Sequence, residues 1–281
     1  MDRQYITPTD ISHFMDCRRR GVLRLTNAGR EADEAFRMSG AMSATLACGI
    51  VAHSLAQVLL VNKHAAELEV LEVLKKHRAL LHSPMRFTRD CPNLHMVTKV
   101  AERIGFTTAD LVREMADGDR ISVEEEFVTS VEQGAVAVKG RPDFVIWKDK
   151  ETIIADLKVS TRAPDEKAVP KHSAQLSSYR QMMIGRVTNK IRTVVLLVGT
   201  RAPEDIKVFD CQTNHVATMR AASELNMCRG IAVDGRRDPV TFATANPSSI
   251  LCNPLCCPFY GQKTFCPETS TATEGGEDGP K

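Results

Sequence analysis

Residues 140–160 read GRPDFVIWKDKETIIADLKVS, two β-prone runs joined by the turn-prone Asp149-Lys150 step. A tight turn there pairs Lys148 with Glu151 and Trp147 with Thr152, and the same register sets Asp143 opposite Asp156. Opposed residues on one face have Cβ atoms about 5 Å apart, where two carboxylates repel unless a cation lies between them. Lys158 shares the face of Asp156, whereas Phe144, Ile146, Ile153, Ala155 and Leu157 point the other way and can build a core. The pattern predicts two carboxylates and one lysine clustered at the sheet surface. Hard oxygen ligands with open positions suit Mg²⁺ or Mn²⁺, which can activate water and neutralise a phosphate under attack, with the lysine beside that water. A hairpin carrying solvated charge pairs explains the same residues, so the flanking sequence decides.

Upstream, the chain is helical in pattern. Thr7 is placed as an N-cap with Pro8 at the first helical position, Ile11, Phe14 and Met15 share one face, and Cys17 falls at the helix end. From about Glu31 to His82 the helical pattern continues, with Leu68, Leu71, Leu74 and Leu81 as an apolar stripe, and a further helix is predicted over Leu94–Met115. The run from Ser39 to Val61 nearly reaches membrane-spanning length, but His53, Gln57 and several hydroxyl residues favour a buried helix. ISVEEEFV, GAVAVKGRPDFVIW and ETIIADLKVS then read as an antiparallel meander, with Glu124 and Glu126 on one face of its first strand. A helix over AVPKHSAQLSSYRQMMIGR and a buried strand IRTVVLLVGT complete a β-β-β-α-β order. KVFDC adds an edge strand, and a last helix spans about Asn214–Ile231.

Within 281 residues, 37 Lys+Arg against 35 Asp+Glu leave the charge nearly balanced, so any nucleic-acid contact must be a local patch rather than bulk polycation binding. Arg18, Arg19, Arg20, Lys167, Lys171 and Arg180 are candidates for it. No G-x-x-x-x-G-K-[ST] occurs, which excludes a P-loop motor. The N-terminus carries no apolar leader, so the nine cysteines are expected in a reducing, cytoplasmic compartment as thiols or as metal or cluster ligands.

Pro142-Asp143 followed by Asp156-x-Lys158 resembles the PD-(D/E)XK nuclease superfamily. Three further segments are similar to its RecB-like members, the group of the CRISPR-associated iron-sulfur exonucleases and their phage-encoded relatives. Gln175 and Tyr179 match a Gln-x-x-x-Tyr motif, and lie one turn apart on a helix. Gly49 and His53 match a Gly-x-x-x-His helix. Cys17, with Cys252, Cys256, Cys257 and Cys266 near the other end, matches a one-plus-three cysteine arrangement.

The resemblance implies an α/β (α+β) fold, a restriction-endonuclease-like core whose mixed central sheet is flanked by helices, with an N-terminal helical region and a cluster joining the chain ends. Residues 1–267 would form a single nuclease domain: 1–115 mainly helical, 120–210 the catalytic core, and 211–267 the final helix and cysteine segment. Residues 268–281 would be a disordered tail. His53, Asp143, Asp156 and the Leu157 carbonyl would hold Mg²⁺ or Mn²⁺, Lys158 would act with Asp143 and Asp156 in catalysis, and Gln175 and Tyr179 would contact DNA or support the site. Cys17, Cys252, Cys257 and Cys266 would hold a [4Fe-4S] cluster, with Cys256 as the alternative to Cys257 and Zn²⁺ as the rival occupant. The implied activity is exonucleolytic hydrolysis of single-stranded DNA or DNA with free ends, in recombination, repair, phage replication in a host cytoplasm, or CRISPR adaptation with a protein partner. The competing reading is a non-catalytic or partner-dependent module that holds DNA ends; intact Asp143, Asp156 and Lys158 weigh against it.

Overall fold

A computed structural model describes residues 5–36, 43–62, 66–82, 85–131, 136–233, 238–249, 252 and 257–267. In chain order, β1 (Tyr5–Ile6) leads to α1 (Pro8–Asp16), α2 (Arg18–Leu23) and α3 (Asn27–Phe36), then to α4 (Ala44–Val61), α5 (Ala66–Lys76), α6 (Arg78–Leu81) and α7 (Leu94–Ala116). Strands β2 (Arg120–Val123), β3 (Phe127–Val131), β4 (Val136–Gly140), β5 (Phe144–Trp147) and β6 (Glu151–Ser160) follow. A 3₁₀ turn (Glu166–His172), α8 (Ser173–Met183), β7 (Lys190–Gly199), β8 (Ala202–Asp210), α9 (His215–Val233) and α10 (Pro239–Phe242) complete the order. The predicted mixed α/β class is the observed one, and the predicted tail, residues 268–281, lies outside the described residues. The chain divides into two compact units, a larger one of residues 38–127 and 140–214 and a smaller one of residues 1–37, 128–139 and 215–281.

The larger unit is organised by a five-stranded sheet of order β2-β5-β6-β7-β8. Its central hairpin has the register the turn dictates, with Trp147 opposite Thr152 and Phe144 opposite Ala155. β6 and β7 run parallel with α8 between them in sequence, as a strand-helix-strand connection requires. Phe144, Ile146, Ile153, Ala155 and Leu157 face one core together with residues of α4 and α7. That core accounts for the composition of α4, which by length and a mean hydropathy of 1.9 could cross a membrane. Ala47, Cys48, Val51, Ala52 and Leu55 of this helix are instead fully buried in the protein.

α4 and α7 meet at Gly105, where an added Cβ would stand 2.7 Å from Leu55 Cβ and 3.2 Å from the Ala52 carbonyl oxygen. Gly105→Ala should therefore lose about 1–3 kcal/mol to overpacking despite the better helix propensity of alanine. A shift of the urea midpoint at unchanged m-value measures it, and an unshifted or raised midpoint would show that the two helices can part freely.

The meander expectation is corrected. ISVEEEFV divides into β2 and β3 at Glu124, whose backbone has φ 45°, and GAVAVKGRPDFVIW divides into β4 and β5 at Arg141-Pro142. A left-handed residue and a proline without an N–H cannot continue a ladder. β2 consequently pairs directly with β5, while β3 and β4 join β1 in a separate sheet of order β1-β4-β3. Glu124 thus sits in the break rather than on a strand face. Two apolar stripes differ in part from expectation: Leu81 is buried as predicted, but Met15 and Leu71 are exposed and Val73 is buried instead, because side-chain periodicity alone does not say which flank of a stripe meets a neighbour.

In the smaller unit, α1 begins with the predicted Thr7 cap, completed by Asp10, whose carboxylate accepts from the Thr7 N–H at 3.0 Å. Ile11 and Phe14 are buried, α9 packs on α1 and α2, and Cys17 caps the end of α1.

Candidate active site and cysteine centre

The carboxylates come from the two ends of one register. Asp143 immediately precedes β5, and its Oδ2 accepts the Leu157 N–H at 2.8 Å, so the hairpin that aligns the strands also fixes this side chain. Asp156 lies inside β6. The expectation of a surface cluster is corrected here: Asp156 is 0% exposed, and Val145 and Ile154 on its face are buried as well. Helix α8, packed on β6 and β7, covers that face. Sequence alternation marks which residues share a face but not whether a later helix will cover it.

His53 reaches the same place from α4. Its Nε2 donates to the Leu157 carbonyl oxygen at 2.9 Å, and its Nδ1 lies 3.3 Å from Asp143 Oδ1. The Lys158 ammonium stands 2.6 Å from Asp156 Oδ2. Thus His53, Asp143, Asp156, the Leu157 carbonyl and Lys158, all singled out in the sequence, converge within the larger unit.

Burial pushes the Asp156 carboxyl up to about 6, against the pull of Lys158. Burial acts in the same direction on Asp143, but the imidazole of His53, Lys158 and the Leu157 N–H outweigh it and hold this carboxyl below its usual range. Desolvation alone would lower His53 and Lys158, yet the neighbouring carboxylates raise both, Asp143 acting chiefly on His53 and Asp156 on Lys158. The pair of acids is therefore asymmetric, one stabilised as an anion and one not.

The donor set fits a hard divalent cation on a feature of this structure. Both Asp156 oxygens are buried: Oδ2 meets the Lys158 ammonium at 2.6 Å, and Oδ1 has no hydrogen-bond partner. Two carboxylates, a carbonyl and an imidazole are suitable ligands for Mg²⁺ or Mn²⁺. Among the described residues no three His, Cys, Asp or Glu side chains form a ready metal cage. His53 and Lys158 place positive charge beside the two carboxylates, at 3.3 Å from Asp143 and 2.6 Å from Asp156.

Gln175 and Tyr179 come together on α8, as their spacing predicts. The Gln175 amide donates to the Tyr179 hydroxyl at 3.2 Å, and that hydroxyl donates to the Arg141 carbonyl oxygen at 3.0 Å. The pair therefore grips the backbone two residues before Asp143. Burial raises the Tyr179 hydroxyl, and Asp156 adds to it, so the phenol stays protonated and keeps donating.

Sequence reasoning missed His172, at the junction of the 3₁₀ turn and α8. Burial and the Lys158 charge push this imidazole down to about 3, so it stays neutral, and its Nε2 is buried without a hydrogen-bond partner. No spacing rule could have found it, since its relation to Lys158 arises only when α8 folds over β6. Among the candidate phosphate contacts, Arg19 and Arg20 are buried and Arg18 pairs with Glu224 at 2.6 Å, so the basic triplet of α2 is not a free surface patch.

In the smaller unit, Cys17, Cys252, Cys257 and Cys266 line one cavity with Leu23, Phe259 and Phe265, and Arg20 borders it. The C-terminal segment is tied to the end of α1: the Asn246 amide donates to the Asp16 carbonyl at 2.8 Å and the Ser249 hydroxyl to the Asp16 carboxylate at 2.8 Å. Burial raises the Cys252 and Cys257 thiols, each further raised by neighbouring cysteines, while Arg20 favours the Cys257 thiolate. The four cysteines thus share one cavity with apolar walls, without forming a ready metal cage among the described residues. Cys256 lies outside the described residues. Cys48, Cys91 and Cys211 are buried thiols, and Cys228 is half-buried.

The fold is that of a nuclease core. The family model described as the PD-(D/E)XK nuclease superfamily matches residues 5–246, and the chain belongs to that superfamily. Nuclease action on DNA is the class of activity this membership carries. Among solved structures, the chain is similar to a "Putative exonuclease" from Eubacterium rectale, with 16% identity over 89% of this chain and 87% of that one and a TM-score of 0.52, a likeness of fold. The solved protein SSO0001 aligns over 63% of this chain and 74% of its own length at 15% identity and a TM-score of 0.35, too low to add to the comparison. No curated protein matches the chain.

Proposed function

We propose that the chain is a metal-dependent exonuclease that hydrolyses phosphodiester bonds at single-stranded or free DNA ends. The observation that carries this reading is the buried Asp156 carboxylate, whose Oδ1 has no hydrogen-bond partner and whose Oδ2 meets the Lys158 ammonium at 2.6 Å, close to Asp143, His53 and the Leu157 carbonyl. His53, Asp143, Asp156 and Leu157 would hold Mg²⁺ or Mn²⁺. When bound, such a cation supplies Lewis-acid stabilisation of the phosphate and lowers the pKa of a coordinated water. Lys158, kept cationic by the two carboxylates, offers its ammonium protons to the attacking water or to the charge building on the phosphate. Asp143 is oriented by the Leu157 N–H, and Gln175 with Tyr179 holds the Arg141 carbonyl, so the loop bearing Asp143 keeps its place through the reaction.

In the same reading, Cys17, Cys252, Cys257 and Cys266 hold a [4Fe-4S] cluster. Their common cavity and the nearby Arg20, whose charge offsets that of thiolates, support it. A free-thiol protein of this composition belongs in a reducing cytoplasm. Recombination, repair, phage replication or CRISPR adaptation would supply DNA ends of the required kind.

The test is degradation of 5′- and 3′-labelled single-stranded DNA by anaerobically purified protein with Mn²⁺ or with EDTA, beside Asp143→Ala. Loss of DNA with Mn²⁺ only, absent in the variant, is the expected result, and the label that disappears first gives the polarity. A folded, brown protein that binds DNA without cleaving it would overturn catalysis in favour of an end-holding module.

A further inference from the structure

We propose that a cleft beside the carboxylate site receives an unpaired base of the DNA end. This inference rests on the nuclease reading and names the substrate feature that the site selects. The cleft lies within the larger unit and has a volume of about 660 Å³, in the range of small-ligand sites. Ser54, Gln57 and Val58 of α4 form one wall, and Val73 and Lys76 of α5 form another. Val123 and Glu124, at the end of β2, close it.

Its position is set by one helical turn of α4 and by one backbone hydrogen bond to the active-site loop. Gln57 follows His53 by four residues, one helical turn on the same side of α4. The Glu124 N–H donates to the Asp143 carbonyl oxygen at 3.2 Å, so the left-handed break between β2 and β3 is fastened to the loop that carries Asp143. The cleft is thereby linked to the active site through α4 and through the loop that carries Asp143.

The lining chooses the occupant. Among the described residues that line it, Glu72 and Glu124 stand against Lys76, a net acidic set that disfavours phosphate. Val58, Val73 and Val123 offer aliphatic walls, and the Gln57 amide offers both donor and acceptor atoms. The Ser54 hydroxyl is engaged with His77 Nε2 at 2.9 Å, which leaves the Gln57 and Asn62 amides as the polar side chains of that wall. A nucleobase is flat, uncharged and edged with donors and acceptors that an amide can meet in pairs. In a duplex those edges are paired and stacked, so only unpaired nucleotides can enter.

The experiment measures binding of a labelled single-stranded oligonucleotide by fluorescence anisotropy in EDTA, against an otherwise identical strand with abasic sites at its last two positions, at each end in turn. Wild-type protein should bind the abasic-ended strand about five- to tenfold more weakly, the scale of one or two neutral hydrogen bonds with their burial. Gln57→Trp, which fills the cleft, and Gln57→Ala, which removes the amide, should erase that difference while circular dichroism remains unchanged. Equal binding of both strands by wild-type protein that still hydrolyses DNA with Mn²⁺ overturns this inference alone, as does full discrimination by a folded Gln57 variant. Absence of both binding and hydrolysis overturns the nuclease reading and this inference with it.

Discussion

Asp156→Asn should lower metal-dependent DNA hydrolysis by about a thousandfold or more, because a metal centre contributes several kcal/mol of charge stabilisation and each 1.4 kcal/mol is a factor of ten. The same substitution should raise the melting temperature in EDTA at neutral pH. The sign follows from the raised carboxyl pKa: an acid whose folded-state pKa exceeds its unfolded value is disfavoured by the fold once ionised, so at neutral pH the native charge costs stability that asparagine does not. Adding Mg²⁺ or Mn²⁺ should stabilise wild-type protein and have little effect on the variant, since a ligand bound only to the native state shifts unfolding by mass action. Lys158→Ala should lose hydrolysis too, without losing the metal-induced rise in melting temperature. Retained hydrolysis by either variant would remove the assignment of these residues to the reaction, and a metal response preserved in Asp156→Asn would move the cation elsewhere.

Cys266→Ala should cost the smaller unit its cluster and its stability together. Cys266 is 6% exposed among Leu23 and Phe259, so the loss combines a missing ligand with a gap in a packed apolar layer. The expected result is loss of iron and of brown colour with a marked fall in soluble yield, and Cys17→Ala should behave alike from the other end of the chain. Iron analysis after anaerobic purification, with thermal unfolding beside it, makes the measurement. A soluble, colourless and fully active Cys266→Ala protein would dismiss the structural role, and zinc in place of iron would change the occupant. Single alanine substitutions at Cys256 and Cys257 with iron content as readout identify the fourth ligand.

The hairpin register was legible because it is local. The Asp149-Lys150 turn and the alternation of apolar residues on either side allow one pairing, and that pairing brings Asp143 opposite Asp156 whatever surrounds it. The extents of α1, α7 and α9 were legible for the same reason, as caps and a 3.6-residue period are carried by neighbouring residues. The environment of those carboxylates was not legible. Whether Asp156 faces water or protein depends on α8, which follows it in sequence but returns over β6 only through pairing with β7. His172 beside Lys158, the grip of Tyr179 on the Arg141 carbonyl and the cleft that joins α4, α5 and the end of β2 have the same origin. The transfer of β3 and β4 to a second sheet likewise required the partner strand β1, more than a hundred residues away, to accept β4 in parallel. Sequence by itself determined which residues share a strand, a face or a helical turn, because those relations follow from backbone geometry over a few bonds. Tertiary structure alone decided which of those faces lost their water, and it is desolvation that leaves Asp156 unsatisfied and separates the two acids of the site.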